Sequence, residues 1–227
     1  MTPERAEVLE AVASSVPVAP RPLLVAVDGP DGVGKTWFAD ELAELLLAQG
    51  RTVVRAGVDD FHHPRAHRHG SGRSPETVWS RSYDYRALRR ELLDPWRRGA
   101  GSAYRIRWHD LDTDELVDVA PSIVPEDGVL VLDGVFTQRA ELRRMWDLVV
   151  WLDAPPEVTV PRMAGRDGGS TDPCHPEQAR YVGAQELYRE NCSPAEQADF
   201  VVDLRDLDRP VLESVAEPDP CPTCGRN

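Results

Sequence analysis

Residues 29–36 read Gly-Pro-Asp-Gly-Val-Gly-Lys-Thr, and this octet constrains the chain more than any other stretch. It fits G-x-x-x-x-G-K-[ST], a loop whose backbone N–H groups cradle phosphate. Such a loop works between a strand and a helix, and its flanks supply both. Residues 23–27, Leu-Leu-Val-Ala-Val, predict a short buried strand. Residues 39–49 predict a helix with Leu42, Leu45 and Leu46 on one face and Gly50 as its stop.

The residue types carry the chemistry. Gly29, Gly32 and Gly34 let the backbone turn sharply and bring N–H groups near phosphate oxygens. The helix N-terminus adds partial positive charge. Lys35 is placed to reach the β- and γ-phosphates, and the Thr36 hydroxyl to ligate Mg²⁺. Lys35 is the only lysine in the chain; all other basic side chains of the Lys/Arg class are arginine. A compact ammonium suits the loop where a planar fork does not. The nucleotide-contacting set is therefore Gly29, Asp31, Gly32, Val33, Gly34, Lys35, Thr36 and Trp37.

At 227 residues the chain is long enough for one domain with an ample core. Its formal net charge of −13 argues against a nucleic-acid partner, which needs a basic footprint. No apolar run reaches membrane-spanning length, and the mixed, acidic N-terminus does not read as a signal peptide. Four cysteines are too few for a disulfide scaffold in a chain this long, which points to a reducing cytoplasm. The sequence leaves a homo-oligomer open.

Three regions are expected: a helix and connector over 1–22, the phosphate-loop domain over 23–207, and a loose Pro/Glu-rich tail over 208–227. Within the domain, strands are predicted near 51–58, 129–132, 148–152 and 200–202. Helices are predicted over 84–98, 139–146, 156–164 and 176–190. A long polar loop is expected at 63–82, a small hairpin at 103–119, and a glycine-rich loop at 165–173. Alternating strands and helices imply an α/β fold with a parallel sheet covered on both faces. Ligands bind at the carboxyl ends of such strands. That rule gathers Asp28, Asp59, Asp60 and Asp133 on one rim beside the loop.

Asp133 ends the apolar strand Val-Leu-Val-Leu and is the expected second metal-orienting group. Transfer to an alcohol needs a carboxylate to accept its proton; Asp59 is the first candidate and Asp60 the second. Arg162 and Arg166, spaced i,i+4 before Gly168-Gly169, suit a flap that closes on phosphates. The histidines His62, His63, His67 and His69 are irregularly spaced and read better as a substrate-contacting or solvated loop than as a metal site. Cys221-Pro-Thr-Cys224 is half a zinc knuckle and cannot close a tetrahedral site alone.

Taken together, GPDGVGKT, VDDFH, YDYRALRRELLDP, AYR, VLVLDGVF, WDLVVWLD, PRMAGRD and RYVGAQELYRENCSPAEQADFVVD resemble the uridine kinase family, within the uridine kinase and phosphoribulokinase group of P-loop kinases. The resemblance runs from about residue 23 to 203. It implies a three-layer fold with a five-stranded parallel sheet, a hairpin insertion and an arginine-bearing lid. It implies that Asp59 is the base for a sugar 5′-hydroxyl and that His62 stands where many members carry tyrosine. Asp84 would hold the ribose hydroxyls, residues 104–109, including Tyr104 and His109, would lie near the nucleoside base, and Arg162 and Arg166 would form the lid over ATP. Two departures stand out: Asp133 replaces the family's usual glutamate, and the Asp-His-Pro segment after the second strand gives way to the His/Arg loop.

The reading is a kinase that uses ATP (or GTP) and Mg²⁺ to phosphorylate the 5′-hydroxyl of a small molecule, uridine or cytidine. A kinase for another small alcohol or a nucleoside monophosphate is the nearest rival, because the arginines of residues 65–81 suit an anionic acceptor. A nucleotide-dependent switch is the more distant one; the chain lacks the N/T-K-x-D segment of guanine-specific switches.

Overall fold

The computed structural model describes residues 2–215. Helix α1 (Pro3–Ser15) begins at Thr2, whose hydroxyl accepts from Arg5 N–H (3.3 Å) with Pro3 at the first helical position. Strand β1 (Leu23–Asp28) is buried at every position and feeds the phosphate loop. Helix α2 (Lys35–Ala48) starts at once from Gly34, whose φ of 107° only glycine adopts at no cost. Strand β2 (Val53–Gly57) ends in a 3₁₀ turn over Val58–Phe61, which carries Asp59 and Asp60.

The stretch expected as a polar loop instead holds two short helices, α3 (Arg65–His69) and α4 (Pro75–Arg81). A capping box starts α4: Thr77 N–H donates to the Ser74 hydroxyl (3.4 Å) and Ser74 N–H to that of Thr77 (2.8 Å). Such a cap contributes about 1 kcal/mol. The polar composition hid both helices, because local capping and packing made them. Next come α5 (Tyr85–Leu88), one π-helical turn (Arg89–Leu93) and α6 (Asp94–Arg98), stopped by Gly99 at φ 104°.

The expected hairpin is two nested pairs. Strand β3 (Ala103–Tyr104) pairs with β6 (Ser122–Ile123), and β4 (His109–Asp110) with β5 (Glu115–Leu116). Strands β7 (Val129–Gly134) and β8 (Leu148–Asp153) follow. Only Arg143–Met145 of the expected 139–146 helix is helical, as a 3₁₀ turn. Helices α7 (Pro156–Asp167), α8 (Pro176–Cys192) and α9 (Pro194–Gln197) and strands β9 (Phe200–Asp203) and β10 (Val211–Val215) complete the described chain.

The sheet runs β10-β9-β8-β1-β7-β2. The five strands β9 to β2 are parallel, as expected; β10 adds an antiparallel sixth at the edge, with a register shift between Leu212 and Ser214. Part of the segment expected as a loose tail is thus a sheet edge, since β9 offers unpaired backbone groups to it. Helices α1 and α2 cover one face over Leu23, Val25, Val27 and Val131. The π turn, α6 and α8 help cover the other over Leu24, Ala26, Leu130 and Leu132. The N-terminal helix therefore belongs to the core of the domain.

Candidate active site

Strand β1 lies between β7 and β8, so the loop after it opens where the sheet connections diverge. The loop is tight. A Cβ at Gly29 would stand 2.5 Å from Leu152 O, and one at Gly32 2.4 Å from Thr159 O. Lys35 Nζ donates to Pro30 O (2.8 Å), which folds the ammonium across its own loop. Trp37 is 67% exposed on the first turn of α2 and does not line the cavity described below.

The expected metal pair is adjacent. Thr36 Oγ1 donates to Asp133 Oδ2 (2.8 Å), and Asp133 Oδ1 accepts from Arg55 Nη2 (2.9 Å). A hydroxyl beside a carboxylate is a hard oxygen donor set, which fits Mg²⁺. Arg55 also binds Asp40 (2.8 Å) and so fixes the carboxylate's direction.

Beside the loop lies a cavity of about 560 Å³, lined by Asp31, Asp59, His62, Tyr83, Met163 and Arg166 among others. Asp59 Oδ1 accepts from Tyr83 OH (3.1 Å). Burial pushes the Tyr83 hydroxyl well above its usual range, and the Asp59 and Asp31 charges add to this. Tyr83 therefore stays a neutral donor. His62 holds Asp59 O through Nδ1 (2.8 Å), and its ring lies 4.3 Å from that of Tyr83. Burial pushes His62 down, against the pull of Asp59.

Asp60 diverges from its neighbour: its carboxylate pairs with Arg107 Nε (3.2 Å) and its carbonyl accepts from Trp108 N–H (2.9 Å). Burial raises its carboxyl, Arg107 lowers it, and Asp59 and Asp133 raise it again. Asp59 faces the cavity while Asp60 ties down the hairpin segment. Burial likewise raises Asp31, against Lys35 and with Asp59.

The two lid arginines part company. Arg166 lines the cavity and binds Asp167 (2.6 Å). Arg162 donates to Leu204 O and Arg205 O (both 2.9 Å) and reaches Val33 O (3.5 Å), tying α7 to the loop and to the chain after β9. Asp28 leaves the rim altogether: it is fully buried and accepts from Gly29 N–H (2.8 Å), Gln138 Nε2 (3.3 Å) and Tyr188 OH.

Of the five acceptor-side candidates, three do not line the cavity. Asp84 caps α5, accepting from Ala87 N–H (2.9 Å). Tyr104 is turned into the core against Trp96 (5.6 Å between centroids). His109 is buried with Nε2 3.3 Å from Asp114. Asp84 and Tyr104 satisfy structural demands that spacing does not reveal, whereas both ring nitrogens of His109 are buried without a hydrogen-bond partner among the described residues. Tyr83 and Arg180 were missed, whereas Arg73 falls among the arginines of residues 65–81 that suited an anionic acceptor. Tyr83 was legible only as the neighbour of Asp84, and Arg180 has no local signature. Among the described residues no group of three or more His, Cys, Asp or Glu is arranged to hold a metal ion. Cys221 and Cys224 lie outside the described residues.

The sheet order and the glycine loop define the class: this is the P-loop kinase fold. A family model described as "AAA domain" matches residues 25–183, more than half the chain, and the chain belongs to that family. Solved structures that resemble it include several kinases. A "Possible Uridine Kinase" from Bacillus stearothermophilus superposes with a TM-score of 0.68 at 24% identity, covering 87% of this chain and 96% of that one. Phosphoribulokinase from Rhodobacter spheroides gives 0.55 at 11% identity, over 82% and 71%. D-glycerate 3-kinase from Cryptococcus neoformans gives 0.53 at 13% identity, over 88% and 93%. At these identities the likeness is one of fold. No curated protein matches the sequence. No helix among the described residues is long and apolar enough to cross a membrane.

Proposed function

We propose that the chain is a Mg²⁺-dependent kinase that transfers the γ-phosphoryl group of ATP (or GTP) to an alcohol. One observation carries this: the Asp59 carboxylate stands in the cavity beside the P-loop, oriented by Tyr83 and facing the same space as Arg166. Asp59 orients the acceptor hydroxyl and takes its proton. The loop amides and Lys35 hold the donor phosphates, and Arg166 stabilises charge on the transferring group. Thr36 and Asp133 would hold Mg²⁺, which when bound neutralises charge between the β- and γ-phosphates. Arg162 acts through the loop and is a positioning residue. A cytoplasmic setting fits Cys174 and Cys192, which are free thiols among the described residues.

The finer reading, the 5′-hydroxyl of uridine or cytidine, rests on the family resemblance and on His62 and Asp59 lining one cavity. A second reading, a nucleoside monophosphate or another small alcohol, is favoured by Arg68, Arg73 and Arg180, which also line that cavity. The test is ADP release with ATP and Mg²⁺ over a panel of nucleosides, nucleoside monophosphates and simple sugars, with Lys35→Ala as the blank. Acceptor-stimulated release is expected. Tight nucleotide binding without stimulation by any acceptor would point to a switch instead.

A further inference from the structure

One wall of the cavity carries two arginines that make no ion pair among the described residues. Arg73, just before α4, and Arg180, on α8, both line it, as does Arg68 on α3. Gly183 shares a helix face with Arg180, three residues on. A Cβ at Gly183 would lie 2.7 Å from Pro75 Cγ, so α8 packs directly against the start of α4. Pro75 is two residues from Arg73, which brings the two guanidinium groups to the same wall. Among the described residues Arg73 Nη2 reaches only His69 Nδ1, at 3.5 Å. Arg180 donates to Tyr181 OH (2.8 Å) and lies over that ring, while its buried Nε has no partner among the described residues. Arg68 donates to His63 O (2.8 Å) and pairs with Asp114 at 3.8 Å, so of the three it is the one with an ionic partner among the described residues.

Four carboxylates share the lining, and among the described residues none pairs with Arg73 or Arg180: Asp167 binds Arg166 (2.6 Å), Glu177 lies 3.8 Å from His175, Asp59 accepts from Tyr83, and Asp31 sits on the P-loop side with Lys35. His69 is held below its usual range, by burial first and then by Arg73, Arg68 and Arg180, so the three cationic fields meet at one place. In a chain of net charge −13, two cavity arginines, Arg73 and Arg180, that make no ion pair among the described residues are a local arrangement that the overall composition does not explain. A neutral acceptor would fill the space and leave them desolvated and unpaired, which is unfavourable.

We propose that this wall binds an anionic group of the acceptor: the molecule phosphorylated is an alcohol that already carries a phosphate monoester or a carboxylate. The inference rests on the kinase reading above for which end of the cavity reacts. Guanidinium forks match both anions in geometry and bind them through charge-assisted hydrogen bonds. Unmodified uridine and cytidine have no such group, so the inference moves the acceptor away from them.

The test has a binding arm and a turnover arm. Inorganic phosphate is titrated calorimetrically into protein saturated with ADP and Mg²⁺, so that the P-loop is filled. Binding is expected, and it should weaken about tenfold or more in the Arg73→Gln/Arg180→Gln double variant. Arg73→Lys/Arg180→Lys should recover part of it, since charge is kept and the fork is lost. Unchanged thermal unfolding of these variants keeps the comparison valid. In the turnover arm, ADP release is compared within matched sets: glycerol, glycerate and glycerol 3-phosphate; uridine and uridine 3′-monophosphate. A charged member should exceed its neutral partner by about tenfold or more in kcat/KM, and the glycerate and glycerol 3-phosphate results tell carboxylate from phosphate. Equal use of neutral and charged members, or phosphate binding unaffected by Arg73→Gln/Arg180→Gln, overturns the proposal. Loss of phosphate binding in that variant with no acceptor-stimulated turnover would leave the anion-binding wall standing and remove the kinase reading.

Discussion

The Tyr83 hydroxyl donates to the Asp59 carboxylate across 3.1 Å, and it joins the start of α5 to the end of β2. Two rotamers are coupled by this bond. Asp59→Asn is expected to lower kcat by about 10²–10⁴-fold with ATP affinity nearly unchanged, because a general base is lost and no donor contact is. Tyr83→Phe keeps the base and loses only its orientation, so kcat should fall about tenfold. Steady-state kinetics on the two variants checks this, and near-normal turnover in Asp59→Asn would remove Asp59 from the mechanism.

Arg162 and Arg166 should give opposite phenotypes although one helical turn separates them. Arg166→Ala removes a cavity-lining charge and should cost about 10²-fold or more in kcat, with the thermal midpoint unchanged. Arg162→Ala releases the carbonyls of Leu204 and Arg205 and should cost about 1–2 kcal/mol of stability. Pairing kinetics with thermal unfolding distinguishes them; equal kinetic losses with equal midpoints would contradict the split.

Gly32 tests the loop itself. Its φ is 76°, and a Cβ would stand 2.4 Å from Thr159 O and 2.7 Å from Met163 Cγ. An L-residue in that conformation costs about 1–2 kcal/mol, and α7 blocks the space as well. Gly32→Ala should therefore displace the loop from α7 and weaken ATP binding about tenfold or more, as measured by nucleotide titration.

Burial holds the Asp28 carboxyl above its ordinary range, while the Tyr188 hydroxyl pulls it back by favouring the charged form. Tyr188→Phe raises it further. Below the unfolded pKa of Asp28 the carboxyl is neutral in both proteins, and its titration adds no difference. As pH rises through the folded values, the variant must charge a buried group with one fewer donor. Its deficit should therefore grow with pH, to about 1–3 kcal/mol near pH 8 and less near pH 5. Denaturant unfolding at the two pH values measures this, and a larger deficit at pH 5 would reverse the assignment.

Much of the frame was legible because it depends on local rules. The octet Gly29 to Thr36 needs a strand before it and a helix after it, and the apolar run and the leucine spacing supplied them. The helices within residues 65–81 were not legible: their polar residues carry no periodic stripe, and α4 exists through its Ser74 cap and its packing on α8. Strand β10 was hidden by a Pro- and Glu-rich context, since an edge strand needs only a partner's unpaired backbone.

The sequence by itself determined the phosphate loop, the parallel sheet and the nomination of Asp59 and Asp133, because strand ends, glycines and apolar periodicity act over a few residues. Only the tertiary structure decided which nominees share a space. It sent Asp28, Tyr104 and His109 into the interior, gave Asp84 to a helix cap, and separated Arg162 from Arg166. It also brought Arg73 and Arg180 to one wall from positions more than a hundred residues apart. The reason is physical: side-chain direction and burial depend on what other elements pack alongside, and no spacing along one segment encodes that.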